Sequence, residues 1–214
     1  MSTIEIRKIG ITKLDTDVVV NAANTGLWEG GGVCGYIFHD AGSKEMAAAC
    51  QKIGHCDEGS AVITPGFKLP AKYVIHAVGP RWSDGEHNEQ KLLYSAYKQS
   101  LLLAKENGLH SIGFPLISAG IFGYPVEKAW RKAIQACNDF IQNNPDYDIK
   151  IIFAVLDDKI LATGEETLKE IVGDEKIEDS VIRWCRKYSV LFHAISEDEG
   201  LRTFFEKHSA YQPP

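Results

Sequence analysis

The sequence predicts an α/β fold in which a central sheet lies between two layers of helices, followed by a short helical extension. Three observations predict it: strand-like and helix-like segments alternate along the chain, 214 residues suffice for one domain with a small appendage, and 44% hydrophobic with 24% charged residues is an average globular composition. This composition excludes disordered, collagen-like and disulfide-stapled proteins. We expect the domain over residues 1–172 and the extension over residues 173–214, packed on the domain or on a protein partner.

The first half of the chain predicts four strands, each a short apolar, alternating or β-branched run. They are residues 4–9, 18–20, 60–64 and 72–78. Three consecutive glycines stand between Gly26 and Gly42, which predicts an irregular loop over that whole stretch. Ser43 is expected to cap a short helix that ends near Ile53.

The second half continues the alternation of strands and helices. Apolar side chains recur at helical spacing before Gly108 and after Pro125, which predicts two amphipathic helices. Thr163 and Glu166 match a capping box, so a further helix is expected to begin there. Two short amphipathic helices are expected beyond Gly173. The strands expected in this half are residues 111–114 and 149–156.

Charge and cysteine content narrow the classes of function. The net charge of −6 argues against nonspecific nucleic-acid binding, which depends on clustered Lys and Arg. The chain has no stretch of ~20 apolar residues and no signal-peptide pattern at its start, so we expect a cytoplasmic protein that does not enter a membrane. Its five cysteines are irregularly spaced, which indicates reduced thiols.

Two glycine-bearing loops, residues 30–33 and 118–123, each follow a predicted strand and precede a predicted helix. Both should emerge at the carboxyl edge of the sheet, where open α/β sheets bind ligands. Glycines allow backbone N–H groups to converge, and together with a helix N-terminus they can bind a diphosphate without cationic side chains. The alternative is that the two loops are ordinary turns.

Five segments carry a resemblance to a known family. They are NAAN (21–24), EGGGVCG (29–35), AGS (41–43), YVIHAVGP (73–80) and FPLISAGIFGYP (114–125). Their order and spacing resemble those of macrodomains, the ADP-ribose-binding family, from about Ile4 to Val172. The resemblance implies a mixed central sheet between helical layers, with ADP-ribose or an ADP-ribosylated protein bound across the sheet edge. It implies no metal and no organic cofactor.

The resemblance also assigns roles to residues of both loops. Asn24 would hydrogen-bond the distal ribose, with Asn21 supporting it, and Phe122 would close over that ribose. Together with Gly32, which lines the same ribose, Asn24 and Phe122 are the candidate catalytic residues. For Asn24 the alternative is a turn-forming role. The other candidate ligand-binding residues are Gly10, Ile11, Ala23, Gly30, Gly31, Val33, Cys34, Ser118, Ala119, Gly120, Ile121, Leu156 and Asp157.

The chain departs from the family pattern in three ways, at the adenine acceptor, at the base-stacking residue and at the catalytic acid. Gly10 stands where many macrodomains have an acidic residue that accepts the adenine amino group, and Asp157 or Asp158 is the alternative acceptor. Leu156 stands where an aromatic residue often stacks on the base. Cys34 replaces the Asp of one hydrolytic branch, and Phe38 replaces its His.

The resemblance implies hydrolysis of an ADP-ribosyl ester, either on a protein Asp or Glu or in O-acetyl-ADP-ribose. The substrate's own diphosphate would position the attacking water. Two alternatives remain open: a noncatalytic ADP-ribose reader, and a protein whose base specificity has changed.

The remaining polar candidates favour structural roles. A His–Asp dyad is not expected, because two adjacent helical residues do not face each other. A buried histidine in the fourth strand is expected to donate to a backbone group, and a Cys–His–Cys zinc site lacks a further ligand. The residues concerned are His39 and Asp40 for the dyad, His76 for the strand, and Cys50, His55 and Cys56 for zinc.

Overall fold

A six-stranded sheet organises the fold, in the order β1-β6-β5-β2-β4-β3. Strands β3 and β4 pair antiparallel, and every other neighbouring pair is parallel. The sheet is therefore mixed, as the resemblance implied. The strands are β1 Thr3–Lys8, β2 Val18–Ala22, β3 Ala61–Pro65, β4 Tyr73–Ala77, β5 Ser111–Phe114 and β6 Lys150–Val155.

The computed structural model describes residues 1–173, and Met1–Ile171 form one compact unit. Five helices accompany the sheet, together with a short 3-10 turn at Ile11–Lys13 and a π-helical turn at Lys169–Gly173. The helices expected after Gly173 and the thiol of Cys185 lie outside the described residues. The helices are α1 Val33–Ala41, α2 Ser43–Ile53, α3 Glu89–Glu106, α4 Val126–Asn143 and α5 Asp158–Leu168.

Alternate residues of β6 face the two helical layers. Ile152 and Ala154 belong to the cluster of buried side chains that includes residues of α1 and α2. The ring of Phe153 contacts Tyr97 of α3 and Trp130 of α4, with ring centroids 6.1 and 5.1 Å apart. Because successive side chains of a strand point to opposite faces, this alternation places helices on both faces of the sheet. The predicted three-layer α/β/α architecture is confirmed.

The expectation of an irregular loop over residues 26–42 is wrong in its second half, where α1 begins at Val33. Gly32 ends the irregular stretch with a positive φ of 60°, and Gly35 lies within the helix. A side chain at Gly35 would lie 2.7 Å from the Gly30 carbonyl oxygen, so this glycine allows the loop to pack against α1. The buried α1 side chains follow helical spacing: Cys34, Ile37, Phe38 and Ala41.

The predicted start of the helix that follows β6 is also wrong. Helix α5 begins at Asp158, because the Asp157 carboxylate accepts hydrogen bonds from the N–H groups of Lys159 and Ile160. Thr163 lies inside the helix and donates to the carbonyl of Lys159. Ser43 is likewise the first residue of α2 rather than its cap, which is Gly42 at φ 100°.

No helix within residues 1–173 has both the length and the apolar character needed to span a bilayer. The four cysteines in this part of the chain are free thiols, as the irregular spacing indicated.

Candidate functional site

The two glycine-bearing loops meet at one edge of the sheet. Strands β2 and β5 are parallel neighbours, with Val18 beside Ile112 and Val19 beside Gly113, so the loops that follow them leave from the same edge. A Cβ built on Gly31 of the first loop would lie 3.1 Å from Cδ1 of Ile121 in the second. The loops are therefore in contact, as the placement of both at the carboxyl edge predicted.

Asn24 shapes the first loop through its side-chain amide. Its Oδ1 accepts from the Trp28 N–H at 3.2 Å and its Nδ2 donates to the Trp28 carbonyl at 2.9 Å. The amide thus makes the turn that the alternative interpretation assigned to it. An amide carries two N–H donors and two acceptor lone pairs, so one of each remains for a ligand.

Gly32 marks the N-terminus of α1 with a backbone that favours glycine (φ 60°, ψ −136°). A Cβ at this position would have no heavy atom within 4 Å, so its open side faces solvent. No side chain of residues 1–173 caps α1, which leaves the N–H groups of its first turn available to an anion.

The second loop also presents backbone N–H groups. Ser118 has a φ of 65°, and its carbonyl accepts from the Tyr124 N–H. Gly120 accepts from Gly123, which closes a tight turn. Within residues 1–173 the N–H groups of Gly120, Ile121 and Phe122 donate to no protein acceptor. Three consecutive free donors on one turn suit a phosphate.

A third loop, residues 78–88, completes the edge, and the sequence analysis assigned it no binding residue. It follows β4, which is the parallel neighbour of β2 on its other side. The Trp82 N–H donates to the Phe122 carbonyl at 2.9 Å, and the Arg81 guanidinium lies 4.6 Å from the centroid of the Phe122 ring. The available signal was the run YVIHAVGP, which leads directly into Arg81 and Trp82.

The Glu89 carboxylate fixes the conformation of this third loop. The side chain is buried and accepts from four backbone N–H groups of the loop, those of Ser83, Asp84, Gly85 and His87. Burial alone would raise the pKa of Glu89, but its own backbone N–H and those of Gly85, Ser83 and His87 lower the pKa to about 2. Asp84, His87 and Glu89 form the one cluster in residues 1–173 with the spacing of a metal site, and Glu89 is occupied by the loop.

A row of buried polar side chains lies behind the first loop. Asn21 Nδ2 lies 3.1 Å from His76 Nδ1 and 3.5 Å from the Cys34 sulfur, and His76 Nε2 lies 2.9 Å from the Thr64 hydroxyl. Burial lowers the pKa of His76 to about 4, so the ring is neutral at pH 7. His76 is a buried histidine as expected, but the expected bond to a backbone group is wrong. Its partners are side chains because the strand already uses the neighbouring backbone groups.

The other polar candidates are separated from one another or exposed. The Cys50 thiol lies 3.7 Å from His76 Nε2, and burial raises the pKa of Cys50 to about 11. His55 instead contacts Asp57 at the surface, so the Cys–His–Cys set is not assembled. The expectation that His39 and Asp40 do not face each other is wrong: His39 Nδ1 lies 3.0 Å from Asp40 Oδ1. The pair lies in the last turn of α1, where the His39 side chain is exposed.

The candidate residues for the base lie at the far end of the same edge. Strands β1 and β6 are parallel, with Lys8 beside Val155, so Gly10 and Leu156 follow two adjacent strand ends. Leu156 is 68% exposed, and the open side of Gly10 has Cγ of Lys13 as its nearest atom, at 3.9 Å. Asp157 uses its Oδ1 to cap α5. Of the alternative acceptors, Asp158 pairs with Lys8 at 2.6 Å.

Comparisons with known proteins find relatives of this chain. A family model described as Macro domain matches residues 20–133. The O-acetyl-ADP-ribose deacetylase of Escherichia fergusonii is 51% identical over 144 residues, which are 65% of this chain and 81% of that protein.

Two solved structures share the fold. The Oceanobacillus iheyensis macrodomain with ADP has a TM-score of 0.76 and 37% identity, covering 81% of this chain and 93% of that one. The Trypanosoma brucei macrodomain in complex with ADP-ribose has a TM-score of 0.71 and 35% identity, covering 76% and 68%. This chain therefore belongs to the Macro domain family.

Proposed function

We propose that this protein binds ADP-ribose across the edge formed by the three loops and hydrolyses an ester at the distal ribose. The observation that carries the proposal is the pair of touching loops with unpaired N–H groups: Gly120, Ile121 and Phe122 on one side and the start of α1 on the other. Backbone donors bind a diphosphate without cations, which reconciles phosphate binding with a net charge of −6.

Other residues along the sheet edge suit the distal ribose and the base of ADP-ribose. The Asn24 amide, held by Trp28, has one donor and one acceptor left to orient the hydroxyls of the distal ribose. Phe122 is half-buried and anchored through Trp82, so its ring excludes water from that ribose. Gly10 and Leu156 lie at the base end. The similarity to an O-acetyl-ADP-ribose deacetylase and to macrodomains solved with ADP and ADP-ribose supports this assignment.

The proposed reaction consumes one water. The water adds to the ester of an acetyl group or of a protein Asp or Glu, the bond between the acyl group and the ribose oxygen breaks, and a carboxylate, a proton and the free ribose hydroxyl result. Bound diphosphate holds the water, and Asn24, Gly32 and Phe122 hold the sugar in the reactive geometry. The Cys34 sulfur lies near Asn21 Nδ2 and the Trp28 carbonyl, and it is given no role in proton transfer.

The second candidate function is a noncatalytic reader of ADP-ribose. Two observations favour it: a thiol stands at position 34 instead of a carboxylate, and both polar atoms of Asn24 already bond Trp28. A reader needs the same free N–H groups but no positioned water.

Turnover distinguishes the two candidates. We expect the protein to release acetate from O-acetyl-ADP-ribose and to remove ADP-ribose from a protein modified on glutamate, with calorimetry reporting ADP-ribose binding in parallel. Binding without product after long incubation would support the reader. Absence of binding would reject both functions.

A further inference from the structure

Two cations lie over aromatic rings next to the second loop, Arg81 of the third loop over Phe122 and Lys128 of α4 over Trp82. The Arg81 guanidinium lies over the Phe122 ring at 4.6 Å, and Lys128 Nζ lies 4.8 Å from the centroid of the Trp82 ring. Both side chains are exposed, and neither forms an ion pair within residues 1–173. We call Arg81 and Lys128 the cationic rim.

The rim is held in a defined position. The Trp82 N–H donates to the Phe122 carbonyl at 2.9 Å, and the Trp82 ring packs edge-on against the buried ring of Tyr124 at 4.6 Å. The contact with Phe122 holds the guanidinium over the ring, and its N–H groups donate to no acceptor within residues 1–173, so they remain available to a partner. Arg81 is therefore a preorganised donor fork next to the ring that would cover the distal ribose.

The carboxylates of Glu89 and Asp84 do not neutralise the rim, because the loop uses both of them itself. Glu89 accepts four backbone N–H groups, and Asp84 accepts from the Glu86 N–H and contacts His87 Nδ1 at 3.0 Å. Two cations that form no ion pair with the described residues make this site attractive to an anion, in a chain whose net charge is −6.

We infer that the cationic rim binds the protein part of the substrate, and that this part is an acidic peptide carrying ADP-ribose on one of its own carboxyl side chains. The inference rests on the proposed function, because it places the rim beside the group attached to the distal ribose. A planar guanidinium matches a carboxylate in two hydrogen bonds, and a flanking Asp or Glu supplies that partner. A polyanionic nucleic acid fits less well, since the whole chain repels it and the rim has only two charges.

The test uses two peptides that carry ADP-ribose on a central glutamate through a nonhydrolysable linkage. Glu residues flank the modified residue in one peptide and Gln residues in the other, so only charge differs. We expect the full-length protein to bind the acidic peptide about fivefold more tightly at low salt, the range of an exposed ion pair of good geometry, with the ratio approaching one in 1 M salt.

Variants separate charge recognition from structural support. Arg81→Gln should bring the affinity ratio of the two peptides close to one, and Lys128→Gln should lower it in part. Lys132→Gln is the matched control, because Lys132 is another lysine of α4, bonded to Gln135, and it should keep the ratio. If Arg81→Gln weakens both peptides equally and preserves their ratio, Arg81 only supports Phe122 and the inference is wrong.

Two further outcomes would overturn the inference. A wild-type ratio near one at low salt would show that the rim does not read peptide charge, although ADP-ribose itself still binds. Tighter binding of an ADP-ribosylated DNA end than of the acidic peptide would assign the rim to nucleic acid. If the wild type does not bind ADP-ribose at all, the proposed function and the inference are both rejected.

Discussion

Gly32 combines a local conformational requirement with an open space beside it. Its φ of 60° and ψ of −136° suit glycine, and no atom lies within 4 Å of the place that a Cβ would occupy. The conformation makes the helix N-terminus possible, and the open side leaves room for a ligand to approach the backbone. A substitution here therefore tests the site without disturbing the buried side chains.

We predict that Gly32→Glu abolishes ADP-ribose binding, with a loss of affinity of at least about a hundredfold, because the carboxylate would occupy and repel the diphosphate position. The strained φ should also lower the free energy of unfolding by about 1–3 kcal/mol. Calorimetry gives the affinity and urea denaturation gives the stability. The matched control is Gly108→Glu, at φ 65° with equally open surroundings but at the opposite edge of the sheet, just before β5. Equal affinities of both variants would place the ligand elsewhere.

His76 connects the stability of the protein to pH. Burial lowers its pKa from 6.5 in the unfolded chain to about 4 in the folded one. Between these values the unfolded chain binds a proton that the folded chain does not, so the free energy of unfolding decreases as pH falls from 6.5 to 4, by about 3 kcal/mol from this group. The contribution of His76 to the pH dependence fades as pH rises above 6.5, where the unfolded chain also loses this proton. Urea denaturation at about pH 7.5, 6 and 5 measures the trend, and an NMR titration in which the folded-state ring protonates near pH 6.5 would contradict it.

At the scale of elements, the sequence predicted the strands and helices that regular patterns of apolar side chains determine. Strands β2, β4 and β5 carry runs of apolar side chains, and all three form where those runs stand. Helix α1 was missed because glycines dominated its segment, although its buried side chains already stood at helical spacing. The start of α5 was misplaced because Asp157 offers a better cap than the Thr163 pattern. Which of two nearby residues caps a helix depends on the backbone geometry around both, and a single sequence motif does not contain that geometry.

The ends of β1 and β6 form the base end of the edge, and they make a prediction about base selectivity. Position 10 itself offers the base no carboxylate, and the two carboxylates nearby are already engaged, Asp157 Oδ1 in capping α5 and Asp158 in its ion pair with Lys8. ADP-ribose and its hypoxanthine counterpart, which lacks the amino group, should therefore bind with affinities within about threefold. A charged acceptor is worth about 1.5–3 kcal/mol, so Gly10→Asp should favour ADP-ribose by at least about tenfold.

Position 10 accepts this change without strain. Gly10 has an ordinary φ of −69°, and beyond its chain neighbours the nearest atom to a Cβ built there would be Cγ of Lys13, at 3.9 Å. Gly10→Asn is the control, since it matches the shape of aspartate without its charge. Calorimetry with both nucleotides measures the selectivity, and a wild-type preference of more than about tenfold for ADP-ribose would show that another group reads the amino position.

At the scale of the whole molecule, the site is assembled from loops far apart in the chain. The first loop contributes residues near 30, the third near 81 and the second near 120, and they meet because β4, β2 and β5 are adjacent and parallel. The resemblance to macrodomains anticipated the first and second loops. The contact between Arg81 and Phe122 was not anticipated, because no local pattern links residues so distant in sequence.

The same assembly makes a prediction about the two parts of the chain. All the proposed ligand-binding residues lie between Gly10 and Asp157, and the helices and sheet that support them end by residue 173. We therefore expect a protein ending at Gly173 to fold and to bind ADP-ribose with an affinity within about twofold of the full chain. Calorimetry on both forms measures this, and ADP-ribose at about a hundred times its Kd should stabilise each by about 2.7 kcal/mol.

Matching stabilisation by the ligand in both forms would confine ADP-ribose recognition to residues 1–173. The Gly32→Glu variant, made in each form, supplies the reference in which a folded protein gains nothing from the ligand. A folded truncated protein whose affinity falls more than about tenfold would instead assign part of the site to residues 174–214.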